Sequence, residues 1–172
     1  MILTGNEIQK KVANGEIVIS PFNDQHVTTN SYDLTLGNTF IKYDEEVLDP
    51  KKNNKHTVFE CPEGGLKMKK GDFILAHSME IIGSHTHVPI IHAKSGIARL
   101  GLFVHVTADL IDIGSIGCVT FQLYSTLPVE IHPGMKIGQV TFWKPLGEIV
   151  PYDGKYQGSK GPRVSMSHHD FN

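Results

Sequence analysis

Apolar residues recur with two different periods along this chain. Near the N-terminus, Ile8 and Val12 stand one helical turn apart behind Thr4-x-x-Glu7. That spacing predicts a capping box, in which hydroxyl and carboxylate each accept a main-chain N–H of the other residue. Gly15 is a natural stop, so one short helix is expected over residues 4–14. Beyond it the period falls to two. Strands are expected over 17–20, 32–40 (with a break at Gly37-Asn38), 73–76, 88–92, 102–106, 119–123, 129–131 and 137–142. Pro21–Asp24, Lys70-Gly71-Asp72 and Pro133-Gly134 punctuate them as turns. Many short strands with Gly and Pro turns predict a mainly β domain, a sandwich or a barrel. No repeat period is visible.

Composition narrows this picture. The 172 residues fit one domain spanning 1–172, with 40% apolar and 20% charged residues, ordinary for a globule with a real core. A net charge of −2 leaves no broad basic face, which argues against nucleic acid as a partner. A small anionic ligand needs only a local basic pocket and stays open. The two cysteines, Cys61 and Cys118, make neither a disulfide framework nor a four-ligand zinc site. With no secretory h-region and no apolar run near the roughly 18 residues of a membrane span, a cytoplasmic protein without a membrane partner is expected.

Four groups of residues could carry chemistry. In Lys94-Ser95-Gly96-x-x-Arg99, two cations and a hydroxyl around a glycine can grip phosphate oxygens; a solvated turn is the alternative. Asp112, among Ile111 and Ile113-Gly114, can accept from a sugar hydroxyl, position water, or simply form a turn. In Cys118-x-Thr120-x-Gln122-x-Tyr124, alternation puts the polar side chains on one face and Val119, Phe121 and Leu123 on the other. Gln122 then either satisfies backbone groups or contacts a base edge in a pocket. His85-Thr86-His87, on a strand, would point both rings one way. However, position 91 is Ile, no Glu follows at metal-ligand spacing, and H-x-E with P-C-x-x-C is absent, so no zinc is expected. From Tyr152 onward the chain is rich in Gly, Ser, Lys and His. It reads either as a frayed terminus or as a lid over a ligand, with Lys155, Tyr156 and Lys160 suited to covering phosphate.

Taken in order, several segments resemble the dCTP deaminase family, which shares a superfamily with trimeric dUTPases. They are Ser31-Tyr32-Asp33-Leu34-x-Leu36-Gly37, Lys94-Ser95-Gly96-Ile97-Ala98-Arg99-Leu100-Gly101-Leu102, Thr107-Ala108, Ile111-Asp112-x-Gly114-x-x-Gly117, Pro133-Gly134-Met135-Lys136-Ile137-Gly138-Gln139 and Lys155-Tyr156-Gln157-Gly158-x-x-Gly161-Pro162. The resemblance implies a distorted jelly-roll or β-barrel subunit of the dUTPase-like fold, with a C-terminal lid over about 152–172. It implies a homotrimer with active sites between subunits, each taking a dCTP- or dUTP-type nucleotide whose triphosphate carries Mg²⁺. Lys94, Ser95 and Arg99, with Gly96 in their turn, would meet the phosphates or the catalytic water. Asp112 would hold the deoxyribose 3′-hydroxyl. Ala108, Thr120, Phe121 and Gln122 would line the base, with Gln139 nearby. Tyr152, Lys155 and Tyr156 would close the lid, and Ser159 stands where the family usually has a second glutamine.

The chain departs from the family at its reacting group. Where the family carries the glutamate that activates water, this chain has Gln122, and an amide has no basic lone pair at neutral pH. Either the natural protein has lost or altered deamination, or Gln122 replaces a glutamate so as to trap substrate. The expected function is a dCTP deaminase-type hydrolase yielding dUTP or dUMP. The alternatives are triphosphate hydrolysis alone, or a catalytically inactive nucleotide-binding regulator. Ala93 and Gly96 also replace the first and last residues of the usual Gly-(Lys/Arg)-Ser-Ser turn, and Leu110 resembles the members that continue to dUMP.

Overall fold

The computed structural model describes residues 1–105 and 107–171. In chain order the elements are α1 (Gly5–Ala13), β1 (Ile17–Ser20), β2 (Tyr32–Thr35), β3 (Thr39–Tyr43), β4 (His56–Glu60), β5 (Leu66–Met68), β6 (Phe73–Ser84), β7 (Val88–Ala93), α2 (Ser95–Ala98), β8 (Leu102–Phe103), β9 (Ile116–Ser125), β10 (Val129–Ile131) and β11 (Lys136–Trp143). Short 3-10 turns lie at Asp24–His26 and Ser167–Phe171. The protein is mainly β, as its period-two runs predict. Among the described residues no helix is long and apolar enough to cross a membrane.

Helix α1 forms where expected but is capped differently. Thr4 is the N-cap with extended backbone, yet its hydroxyl makes no capping bond. Its carbonyl instead accepts from the main-chain N–H groups of Glu7 and Ile8 at 3.0 and 2.9 Å. The Glu7 carboxylate lies 3.4 Å from Lys10 Nζ. Fully buried Ile8 anchors the helix to the core.

One sheet runs β4-β3-β6-β9-β8, with β1 added along the far half of β6; a second runs β2-β11-β7, and β10 pairs with β5. The long antiparallel β6–β9 pair forms the spine. Its register slips between His77 and Ile81, where β6 carries extra residues. Ser78 staples the bulge: its hydroxyl donates to the Glu80 carbonyl (2.7 Å) and accepts from Val119 N–H (2.9 Å). The buried Glu80 carboxylate accepts from the N–H and hydroxyl of Thr35 at 3.0 and 2.7 Å, tying the spine to β2 in the other sheet. Between the sheets Tyr32, Leu34, Phe40, Phe121, Leu123, Val140 and Phe142 form a single apolar cluster.

Three expectations need correction. The run 32–40 is two strands in different sheets, because Gly37-Asn38 redirects the chain after β2. The run 102–106 keeps ladder pairing only at Leu102–Phe103, and its last residue, Val106, lies outside the described residues. His85 and His87 sit in the turn after β6, not on a strand. His85 is exposed and His87 is 6% exposed, so their rings share no face.

Candidate functional site

Strand β9 alternates as its sequence implies. Val119, Phe121 and Leu123 enter the core, while Cys118, Thr120 and Gln122 line a cleft of about 520 Å³ on the opposite face. His105, Ala108 and Ile111 form a second wall, and Tyr43 and Leu48 a third. The Gln122 main-chain N–H donates to the Val104 carbonyl at 3.0 Å, holding the 104–105 segment beside β9.

The C-terminal segment closes the cleft. It is docked on the end of β9 largely through main-chain bonds. Gly158 N–H donates to Ile116 O (3.0 Å), Cys118 N–H to Ser159 O (2.7 Å), and Arg163 N–H to Thr120 Oγ1 (3.0 Å). Gln157 bridges the turn, accepting from Ile116 N–H (2.8 Å) and donating to Gly114 O (2.7 Å). Ser165 N–H reaches the Tyr43 hydroxyl at 2.9 Å. Tyr156, Ser159, Arg163 and Ser165 thereby become cleft residues.

This docking requires bare backbone at Gly117, where an added Cβ would lie 2.7 Å from Ser159 N and 3.0 Å from Ser159 O. Gly117→Ala should therefore push the segment off β9. At roughly 1–3 kcal/mol for such overpacking, limited trypsinolysis at Lys155, Lys160 and Arg163 should accelerate about tenfold or more. Unchanged cleavage would mean that the segment is not held there.

The expected site residues fall into two groups. Ala108, Thr120, Gln122, Tyr156 and Ser159 share the cleft. Asp112 and Tyr152 stand at its edge: Asp112 O accepts from Ser115 N–H (3.1 Å) in an exposed turn that Gly114 completes at φ +91°, and Tyr152 N–H donates to Ile113 O (2.7 Å). Lys155 is not among the lining residues; its Nζ lies 2.6 Å from both carboxylate oxygens of Asp170 and 5.9 Å from the centroid of the Tyr156 ring. Phe121 is corrected in one respect: its ring is 0% exposed inside the core, so it can offer a ligand only main chain.

Lys94, Ser95, Gly96, Arg99 and Gln139 do not line this cleft within the chain. They sit around β7, α2 and β11. Lys94 Nζ lies 2.6 Å from Asp33 Oδ1 and Lys136 Nζ 3.3 Å from Asp33 Oδ2, while Gln139 Oε1 accepts from the Ser31 hydroxyl at 3.3 Å. Ser95, Gly96 and Arg99 lie on α2 and its C-terminal turn, and all three are exposed.

Electrostatically the cleft is poor in acid. No Asp or Glu is among its described lining residues. Burial pushes the Cys118 thiol up, and the Glu80 carboxylate adds to it. Burial pushes His105 below the ordinary histidine range, against upward pulls from the main chain of Ala108 and Val104 and from Asp109. Among the described residues, no group of three or more His, Cys, Asp or Glu could hold a metal ion. Sequence reasoning missed His105, Tyr43 and Arg163 as cleft residues. The available signal was His105 itself, one titratable residue inside the apolar run 102–106.

Comparisons with known proteins give the family of the chain. The dCTP deaminase-like family model matches residues 2–145. A protein of Cytophaga hutchinsonii named dCTP deaminase, dUMP-forming, is 40% identical over 172 residues, covering 99% of both chains. Proteins of the same name from Clostridium acetobutylicum and Clostridium beijerinckii are 38% and 37% identical with the same coverage. The solved 2′-deoxycytidine 5′-triphosphate deaminase of Agrobacterium tumefaciens superposes with a TM-score of 0.65 at 19% identity. That match covers 82% of this chain but 47% of the solved one, and it establishes a shared fold.

Proposed function

This chain belongs to the dCTP deaminase-like family, and on that premise we propose that it binds pyrimidine deoxynucleoside triphosphates and hydrolyses dCTP toward dUMP. The observation that carries the reading is the cleft on β9. It is the size of a small organic ligand, walled by Ala108, Thr120 and Gln122, and covered by a C-terminal segment that can act as its lid. In this reading a pyrimidine enters against β9, where its polar edge meets the Gln122 amide and the Thr120 hydroxyl. The deoxyribose 3′-hydroxyl meets Asp112 at the rim, and Tyr152 and Lys155 close over the phosphates. Lys155 must first leave Asp170.

Lys94, Ser95 and Arg99 belong to this site through a neighbouring copy of the chain in a homotrimer. Their position outside the cleft supports that arrangement, because a triphosphate needs cations that this chain's own cleft wall lacks apart from Arg163. Each charge-assisted phosphate contact contributes about 1.5–3 kcal/mol, so Arg99→Ala should weaken dCTP binding roughly tenfold to 10²-fold. Calorimetry reads this, and unchanged affinity would remove Arg99 from the site. Magnesium, which neutralises phosphate charge when bound, would ride on the triphosphate oxygens. The described cleft lining offers no carboxylate, which is compatible with an ion carried chiefly by substrate phosphates and waters rather than by a protein cage.

A second reading is favoured by one observation, the absence of a carboxylate from the described lining residues of the cleft. It is triphosphate hydrolysis alone, with Asp112 orienting water toward the α-phosphate. Incubation with dCTP and with dUTP plus magnesium separates the two: ammonia from dCTP selects deamination, whereas pyrophosphate from dUTP without ammonia from dCTP selects the second.

A further inference from the structure

Water attack at C4 of cytosine needs a proton acceptor, and Gln122 cannot be one. Among the described residues, the ionisable side chains on the cleft wall are Tyr43, His105, Cys118, Tyr156 and Arg163. Tyrosine and arginine hold their protons at neutral pH. The Cys118 thiol is pushed further toward its protonated form. His105 is left. Its Nδ1 is buried and makes no bond of full hydrogen-bond geometry among the described residues, although the main chain of Ala108 and Val104 stands close enough to the ring to favour its charged form. Its ring packs edge-on against Phe121 with centroids 6.5 Å apart, which fixes the imidazole beside the strand that carries Gln122.

We propose that His105 is the proton-transfer residue of this cleft, doing in the presence of an amide at position 122 what a carboxylate would otherwise do. The inference rests on the deaminase reading above. A proton of the attacking water passes to a His105 ring nitrogen while the water oxygen bonds C4, and the imidazolium returns that proton to ring N3. The C4 hydroxyl proton then moves by the same route to the exocyclic amine. The C4–N bond breaks with its electron pair on nitrogen, ammonia leaves, and C4=O forms. Burial favours the neutral imidazole, so the base is already deprotonated at neutral pH. Asp109, acting through space, is the charge that opposes this.

The test compares wild type, His105→Asn, Gln122→Glu and the double variant. Ammonia release from dCTP with magnesium is measured alongside dCTP affinity. Loss of a general base costs about 10²–10⁴-fold. His105→Asn should therefore lower ammonia release by about 10²-fold or more when residue 122 is Gln, and by less than about tenfold when it is Glu, with dCTP affinity unchanged in both. A merely structural histidine would give equal losses in the two backgrounds, and that result overturns the proposal. Independently of any variant, the wild-type rate should fall on the acid side only below the ordinary histidine value of 6.5. A profile flat to about pH 5, well below the ordinary histidine range, also overturns it, as does wild type that binds dCTP and releases no ammonia; both leave nucleotide binding intact. Failure to bind dCTP at all would instead overturn the functional reading on which it rests.

Discussion

In a His105→Asn background, Gln122→Glu should raise the rate of ammonia release from dCTP by about 10²–10⁴-fold, the usual contribution of a well-placed general acid–base group, and by less in the wild type, where His105 already transfers the proton. The geometry favours a gain over a neutral change. Residue 122 is on the cleft face of β9, between Thr120 on the same face and the His105 segment that its own N–H holds in place. The two side chains are nearly isosteric, so the exchange adds a titratable oxygen without new volume. A carboxylate there can accept the proton of water and return it to the base, which an amide cannot do. Coupled measurement of ammonia and pyrophosphate checks the result. A double variant that binds dCTP as His105→Asn does, yet releases ammonia no faster, would show that this position does not face the reacting carbon.

Phe121→Ala should cost about 3–5 kcal/mol of stability, because it removes a large ring from the middle of the core and leaves a cavity that a sheet cannot collapse to fill. The ring is 0% exposed. It packs between two functional regions: the backbone at Gly138 on β11, where a Cβ would lie 3.5 Å from Phe121 Cε1, and the His105 ring. The loss should appear as a lower midpoint in denaturant melts with an unchanged slope. A change below about 1 kcal/mol would mean that β9 does not carry the core.

What the sequence made legible follows from which forces are local. The two faces of β9 could be read because a period of two forces Val119, Phe121 and Leu123 one way and Thr120 and Gln122 the other. Strands at 17–20 and 129–131 were legible to the residue for the same reason. Edge strand β4 was not, since Thr57, Val58 and Glu60 are all exposed and leave no burial pattern to read. The end of β6 was hidden by its bulge, whose stability comes from Ser78 bonding to Val119, 41 residues away. The C-terminal segment has the composition of a frayed end because it docks largely through main-chain bonds, which composition does not record. The basic turn 94–99 was legible as a gathering of cations, but its separation from Gln122 within one chain is a property of the three-dimensional fold. His105 escaped notice because a histidine amid valines looks like part of a strand until the cavity beside it is seen.

Titrating dCTP with magnesium into the wild-type protein in a calorimeter, with dUTP as the parallel ligand, decides whether the cleft on β9 is a nucleotide site. Saturable heat from dCTP or dUTP at one site per chain is the expected result. No heat from either nucleotide would contradict it.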